Sequence, residues 1–217
     1  MPVVTLSKTT AVMADTHVIS SSLDINYSAI TTISLGVHNS ASDVYRAIIK
    51  LDLGLVPNES DVSSALLNLT QMSYLSSTAK TFTVHKITSA FDPTTVAWNN
   101  QPTFGANPYA SFAVSGSSTT VFTADITQLI QDWVNGEAIF GLLIKSADES
   151  VTGSYKAFGS LENSTTSYRP TLQPSPSTTH SRQQAKNRWR LWGSITRLLA
   201  QQLFLRHFHQ GFSLVIY

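Results

Sequence analysis

Short apolar or alternating segments recur from residue 3 to residue 172, and clusters of Ser, Asn, Asp, Gly and Pro separate them. Segment 45–53 is the clearest, because its odd positions are apolar or aromatic whereas Arg46, Lys50 and Asp52 would face the opposite side. This period of two indicates a strand with one buried face. Similar strands are predicted at 62–72, 80–88, 119–125, 138–146 and 153–160. Strands this short, with little helix between them, favour an antiparallel β-sandwich over a parallel α/β fold.

One segment has the period of a helix instead. Its apolar positions fall at i, i+3, i+4 and i+7, and they are Ile126, Leu129, Ile130 and Trp133. Asp125 is a candidate N-cap, Gln128 stands three residues later as in a capping box, and Asn135-Gly136 is a stop signal. We predict one short helix at about 126–135 that closes one end of the sandwich with Trp133.

The charge distribution divides the 217-residue chain into two segments. Residues 1–173 carry eight Lys and Arg against thirteen Asp and Glu, a net charge of −5. Residues 174–217 carry six Lys and Arg and no acid, and they begin at a Pro-Ser-Pro turn signal. We therefore predict a β-domain over 1–173 and a separate basic tail over 174–217.

The basic tail contains a stretch with helical periodicity. One face of such a helix would carry Leu191, Ile195, Leu198, Gln202 and Leu205. A basic amphipathic helix of this kind could contact a membrane surface or nucleic acid, or serve oligomerisation. The alternatives are a disordered tail and a frameshifted or vector-derived end, since the acid-free stretch begins where the domain is expected to end.

The sequence contains no recognised catalytic motif. H-E-x-x-H, G-x-S-x-G, the phosphate-binding P-loop and G-x-G-x-x-G are all absent. The chain has no cysteine, which excludes disulfides, a thiol nucleophile and Cys-ligated metal centres. His17, His38 and His85 are scattered among Ser- and Thr-rich strands, where structural or solvated roles are expected. We therefore predict no catalytic residue; a polysaccharide-active enzyme would need a carboxylate pair, which a sequence does not show.

A series of motifs, in one order along the chain, resembles the DNRLRE domain family. Segments 14–18 (ADTHV), 26–27 (NY), 33–36 (ISLG) and 45–53 (YRAIIKLDL) are similar to the opening of that family. Segment 62–69 (VSSALLNL) resembles its next strand, 96–102 (VAWNNQP) its Trp-Asn-Asn-Gln-Pro signature, and 125–136 its helix. Segments 158–162 (FGSLE) and 168–172 (YRPTL) resemble its closing motif. The resemblance covers residues 14–172.

The resemblance implies a jelly-roll-like β-sandwich of the carbohydrate-binding-module kind. Such domains occur in bacterial surface and secreted proteins and in phage structural proteins, some relatives bind polysaccharide, and related sandwiches often hold a structural calcium. For Ca²⁺, which prefers six to eight oxygen ligands, the candidates are Asp15, Asp24 and Asn26. At its end the chain departs from the family, because Gln173-Pro174-Ser175-Pro176 follows the closing motif. We therefore expect the last strand to be shortened there or replaced by a later segment.

The candidate ligand-binding residues are tyrosines flanked by polar or turn residues, since aromatic faces stack on the C–H faces of sugars. They are Tyr27, Tyr74, Tyr109 and Tyr155. Trp98 and Trp133 stand in motifs that favour core packing. Structural ion pairing is expected for Arg46 and Asp52 with Glu162 or Arg169.

Together these features predict a non-catalytic module that binds surface polysaccharide, in an extracellular or virion setting. No signal peptide and no apolar stretch of 18 residues is recognised, which favours a virion component. The alternative is a purely structural decoration or fibre protein, held by contacts with neighbouring proteins and able to form homo-oligomers. Nucleic-acid binding by the domain itself is not expected.

Overall fold

The computed structural model describes residues 13–41, 43–51, 53 and 61–176. Asp52 and the predicted tail beyond Pro176 lie outside the described residues. The elements, in chain order, are β1 (Met13–Ile19), β2 (Thr32–Val37), β3 (Val44–Leu51), β4 (Val62–Tyr74), β5 (Lys80–Lys86), β6 (Ala110–Val114), β7 (Val121–Asp125), α1 (Thr127–Val134), β8 (Leu142–Ser146), β9 (Lys156–Gly159), a 3₁₀ turn (Thr166–Tyr168) and β10 (Thr171–Pro176). The predicted all-β class with one short helix is confirmed.

The strands form one antiparallel sheet that curls on itself. One wall has the order β1-β3-β8-β5-β6, and the other consists of β10, β4 and β7. Strands β2 and β9 join the walls, because β2 pairs with β3 and β9, and β9 pairs with the far end of β4. The main core lies between the walls and draws side chains from both. Two packed layers around one core are therefore made from a single sheet.

Strand β3 shows how the alternating sequence divides between two apolar clusters. Ala47, Ile49 and Leu51 enter the main core, as the period of two predicted. Ile48 faces the other way, yet it is fully buried in a second cluster with Val18, Ile87, Val96 and Leu143. Partly buried aromatic rings from segment 88–104 cover that cluster. The outer face of this wall is thus covered by a long connection.

Helix α1 begins one residue later and ends one residue earlier than predicted. Ile126 occupies the N-cap position without a side-chain cap bond, so the N-cap lies one residue after the predicted Asp125. Asp125 instead accepts hydrogen bonds from the Thr127 N–H and hydroxyl. The buried face of the helix packs into the main core, with Trp133 partly buried against it.

The last described strand runs past the position where proline was expected to stop it. Strand β10 pairs with β4 through Pro174 and Pro176, with a register shift at the final residue. An edge strand accommodates proline because one of its sides has no partner strand. A proline whose nitrogen faces that side removes no hydrogen bond from the sheet. The expected shortening at residue 173 is therefore wrong.

The close approach of Gly36 in β2 to Ser154, which lies just before β9, can be tested by mutation. The φ of Gly36 is +92°, and an added Cβ would lie 2.6 Å from the Ser154 carbonyl oxygen. Gly36→Ala should lower the free energy of unfolding by about 2–4 kcal/mol, through backbone strain and the clash together. Gly153→Ala is the matched control, because its φ is +72° but no atom lies within 4 Å of the added Cβ. Equal losses in urea denaturation of the two variants would contradict the close approach.

Candidate functional site

Five rings form a continuous series of contacts at one end of the β1–β3 wall. His17 stacks on Tyr27 with centroids 4.8 Å apart and planes 11° from parallel, and it lies 6.0 Å from Tyr45. Tyr45 meets Tyr155 edge to face at 5.1 Å, and Tyr155 meets His38 in the same way at 5.1 Å. We call these five residues the aromatic row. Such offset and edge contacts are the arrangements that aromatic pairs prefer.

Strand register explains why the row lies at the rim of the core. His17 is paired with Ala47 across β1 and β3, so both side chains point towards the main core. Tyr45 is paired with Gly36 of β2 near the first residue of β3, where the core ends. Tyr27 belongs to the connection between β1 and β2, residues 20–31. The row therefore begins on a buried histidine and ends on half-exposed rings.

The 20–31 connection is fixed to the Trp-Asn-Asn-Gln-Pro segment. Asn26 donates through Nδ2 to the carbonyl oxygens of Pro93 (2.9 Å) and Val96 (2.7 Å). Asn99 donates through its backbone N–H to the Leu23 carbonyl at 3.0 Å, and through Nδ2 to Asp24 Oδ1 at 2.9 Å. These bonds help to position Tyr27 by anchoring the chain that directly precedes it.

The same connection is held on its other side by the loop after β9. Ser160 Oγ donates to the Ile30 carbonyl at 2.7 Å, and Asn163 Nδ2 donates to the Thr31 carbonyl at 3.0 Å. His17 is only 3% exposed, whereas Tyr27, which stacks on it, is half-buried. Part of the Tyr27 side chain is therefore accessible to solvent, while one of its ring faces is covered by His17.

Polar groups accompany the rings of the row. The Tyr155 hydroxyl lies 3.2 Å from Ser34 Oγ. The pKa of Tyr45 is raised by burial first, and then by the Asp43 carboxylate and the neighbouring Tyr155 and Tyr27. The row thus offers apolar ring faces beside hydroxyl groups, with a negative charge nearby. That combination suits recognition of polyhydroxylated, uncharged ligands.

His17 is an unusual member of the row because it remains uncharged. Burial lowers its pKa to about 4, and a hydrogen bond with the Thr32 backbone only partly opposes that shift. Its Nδ1 is buried without a hydrogen-bond partner in the described structure. The His17 ring is therefore uncharged at ordinary pH, and Tyr27 stacks on an uncharged ring.

Arg46 and Trp98 lie outside the row, on the outer face of the wall. The guanidinium of Arg46 lies 4.6 Å from the Trp98 ring centre and 5.6 Å from that of Phe104. It binds Glu149 through two bonds of 2.8 and 2.7 Å and Gln101 Oε1 at 3.0 Å. Glu149 is a partner that sequence reasoning missed, since 103 residues separate it from Arg46. This ion pair, stacked between two rings, fastens the 98–104 segment to the sheet.

The other expected structural residues are placed apart from Arg46. Arg169 donates through Nε to the Asn163 carbonyl at 2.8 Å. Glu162 is exposed in the loop after β9, where its N–H donates to Ser160 Oγ. Trp133 packs against the main core from α1.

Two of the four candidate tyrosines, Tyr27 and Tyr155, come together in the row, and two do not. Tyr74, 40% exposed, lies at the end of β4 with Lys156 Nζ 5.5 Å from its ring centre. Tyr109 precedes β6, and its hydroxyl donates to Asp132 Oδ2 at 2.8 Å. Tyr45 belongs to the row but was not singled out from the sequence. Its place in the alternating strand was read as a core position.

The three calcium candidates are engaged in separate hydrogen bonds. The buried Asp15 accepts from the Leu161 N–H at 2.8 Å, and Asp24 accepts from Asn99. The side-chain oxygen Oδ1 of Asn26 accepts from the Ser28 N–H and hydroxyl. Its Nδ2 group donates to two backbone carbonyl oxygens. Among the residues that the structure describes, no three His, Asp or Glu side chains are grouped to hold a metal. Calcium binding by Asp15, Asp24 and Asn26 stays a prediction.

The family model of carbohydrate-binding module family 96 matches residues 7–174. The carbohydrate-binding-module character that the sequence resemblance implied is thereby confirmed, although the match does not name the DNRLRE domain. No curated protein matches the chain. Within the described ranges, no helix is long and apolar enough to cross a membrane.

Asn26→Asp distinguishes a backbone clamp from a metal ligand. The carboxylate would lose both donor bonds and place a negative charge against two carbonyl oxygens, so the free energy of unfolding should fall by about 2–3 kcal/mol. Calcium should not restore it. A thermal melt in which Ca²⁺ returns the variant to the wild-type Tm would instead support the metal role.

The buried His17 should make stability depend on pH. The unfolded chain takes up a proton near pH 6.5, whereas the folded state resists protonation until about pH 4. Stability should therefore fall by about 3 kcal/mol as the pH is lowered from 6.5 to 4. His17→Phe keeps the ring and removes this proton, so its urea denaturation series should have a shallower slope. Burial also lowers the pKa of His85, which leaves a residual slope. An identical pH dependence in wild type and variant would contradict the neutral, buried state of His17.

Proposed function

The chain belongs to carbohydrate-binding module family 96, and on that basis we propose that it is a non-catalytic module that binds polysaccharide along the aromatic row. The observation that carries the choice of surface is the stack of Tyr27 on the buried His17. One face of the Tyr27 ring is held by His17, and we expect the ligand to pack on the opposite face. A pyranose ring offers C–H groups to such a face.

The succession of rings supports a chain-like ligand. From Tyr27 through His17 and Tyr45 to Tyr155 and His38, each ring touches the next, and four of the five are half-exposed. The rings are fixed by strands and by the anchored 20–31 connection, so little ordering is needed on binding. Hydroxyls of Tyr45 and Tyr155 can exchange hydrogen bonds with sugar hydroxyls. A polysaccharide segment fits this row better than a compact metabolite does.

The charge beside the row favours an uncharged polysaccharide. Asp43 is the carboxylate that acts on Tyr45, and a polyanion would be repelled by it. A neutral polymer carries no such penalty. Since polysaccharide surfaces of this kind lie outside cells, the proposed setting is an extracellular surface or a virion.

An architectural role is the rival from another functional class. Leu23, Ile25 and Ile30 are 48%, 53% and 37% exposed on the connection that carries Tyr27. A neighbouring protein could cover these side chains in a particle or fibre. That role requires no glycan affinity, so binding measurements separate the two.

Tyr27→Ala should weaken polysaccharide binding by about 5–10-fold, because it removes the ring on which we expect the ligand to pack. A glycan array identifies the polymer, and calorimetry of wild type and variant gives the change. Tyr74→Ala is the matched control: it removes an exposed tyrosine that is not in contact with the row, and should leave affinity unchanged. Repeating the array with EDTA tests the predicted calcium dependence.

The alternatives give different results in the same experiments. Stable incorporation into particles without binding to any glycan would favour the architectural role. Turnover of an oligosaccharide that is lost on changing one carboxylate would show an enzyme. Loss of affinity in Tyr74→Ala but not in Tyr27→Ala would move the site away from the row.

A further inference from the structure

A cavity of about 330 Å³ lies beside the last residue of β5, away from the aromatic row. Segment 105–109 and Lys86 line it. Tyr109 stands just before β6, and the wall order β1-β3-β8-β5-β6 places four strand spacings between β1 and β6. Neighbouring strands lie about 4.8 Å apart, so several strands of the wall separate Tyr109 from His17. The cavity and the row are therefore different surfaces of the domain.

The segment that forms the cavity is fixed to the sheet before any ligand binds. The Gly105 N–H donates to the Lys86 carbonyl at 2.9 Å, and the Gly105 carbonyl accepts from His85 Nδ1 at 2.8 Å. The Tyr109 N–H donates to the Val84 carbonyl at 2.8 Å, and its hydroxyl donates to Asp132. A pre-formed cavity of this kind lowers the entropic cost of binding.

The lining combines one aromatic wall with polar groups of both kinds. Tyr109 is half-buried, and Lys86 Nζ lies 5.9 Å from its ring centre and 2.7 Å from Glu137 Oε2. Lys86 lines the cavity, and its pairing with Glu137 offsets its charge while the ammonium group remains a hydrogen-bond donor. Asn107 is exposed and its amide adds a further donor and acceptor. Sugar hydroxyls, which both donate and accept, match these groups better than a carboxylate or an ammonium ion would.

We propose that this cavity, the Tyr109 pocket, is a second carbohydrate site that takes a single neutral sugar unit, such as a chain end or a branch. Its volume falls within the range of roughly 300–1,000 Å³ that small-molecule sites occupy. The inference rests on the proposed function, in that both take carbohydrate as the ligand class. It adds a concave site for one unit to an open row that takes a stretch of chain. Two separate sites would let one module hold a polysaccharide at two points.

Another cavity shows why the Tyr109 pocket is the better candidate. That cavity has a volume of about 180 Å³ and mostly apolar walls: Lys50, Leu51, Ala90, Phe91, Ile139 and Phe140. Lys50 Nζ is directed to the Phe91 carbonyl at 3.5 Å and lies 5.7 Å from the centre of that ring. This second cavity is smaller than the Tyr109 pocket and offers fewer hydrogen-bonding groups to sugar hydroxyls.

Amide NMR titrations with methyl glycosides of glucose, galactose and mannose test the second site directly. At least one glycoside should shift the amide signals of Gly105, Ala106 and Asn107, with a Kd on the order of 1–10 mM. Asn107→Ala, which changes an exposed side chain and spares the core, should weaken binding by about fivefold or more. Tyr109→Ala should do the same, whereas Tyr109→Phe keeps the ring and should retain most of the affinity.

Tyr27→Ala separates this inference from the proposed function. It should leave the glycoside shifts at 105–107 intact while weakening polysaccharide binding. If wild type binds polysaccharide at the row but no glycoside shifts those amides, the second site is overturned and the proposed function stands. An unchanged Kd in both Asn107→Ala and Tyr109→Ala would also overturn it. No response to any glycoside or polysaccharide would overturn both proposals.

Discussion

Burial of apolar side chains between two walls of one curled sheet is the constraint on which the rest of this structure depends. With β2 and β9 bridging the walls, alternate residues of β3 must enter a shared core. The rim of that core, where β3 begins, is occupied by the buried ring of His17 and by four half-buried rings. The aromatic row is therefore a consequence of where the core ends, and its rings are held by the same strands that form the core.

Hydrogen bonds from Asn and Gln side chains fix the conformations of the long connections. Asn26 uses its amide group to bind two backbone carbonyls of the 93–96 segment, and so places Tyr27 over His17. In the residues that follow, 97–101, the Asn100 carboxamide accepts from the Ala97 N–H, and Gln101 links the Trp98 carbonyl to Arg46. The Trp-Asn-Asn-Gln-Pro motif thus lies in a loop held by its own internal hydrogen bonds. This loop covers the outer cluster and supports the 20–31 connection. A charged replacement at these positions would lose the simultaneous donor and acceptor that the amides supply.

Local periodicity was sufficient to predict much of the fold, but contacts between distant segments were not. The alternation of 45–53 and the helical stripe of 126–133 follow from residues a few positions apart, and both are confirmed. Other contacts join residues about 40 to 110 positions apart. They are the packing of Ile48 on the covered outer face, the Arg46–Glu149 pair and the Tyr45–Tyr155 contact. Pro174 misled because the sequence does not reveal which strand lies at an edge. Tyrosine flanked by polar residues was a useful but incomplete signal, since it found Tyr27 and Tyr155 and passed over Tyr45.

In the proposed mode of binding, a polysaccharide packs on Tyr27 and on the rings that follow it along the aromatic row. A crystal structure of the domain with an oligosaccharide cut from the polymer that it binds tests this most directly. We expect sugar rings packed on Tyr27, continuing along the row towards Tyr155 and His38. An oligosaccharide that is bound elsewhere, with the face of Tyr27 left in water, would contradict it.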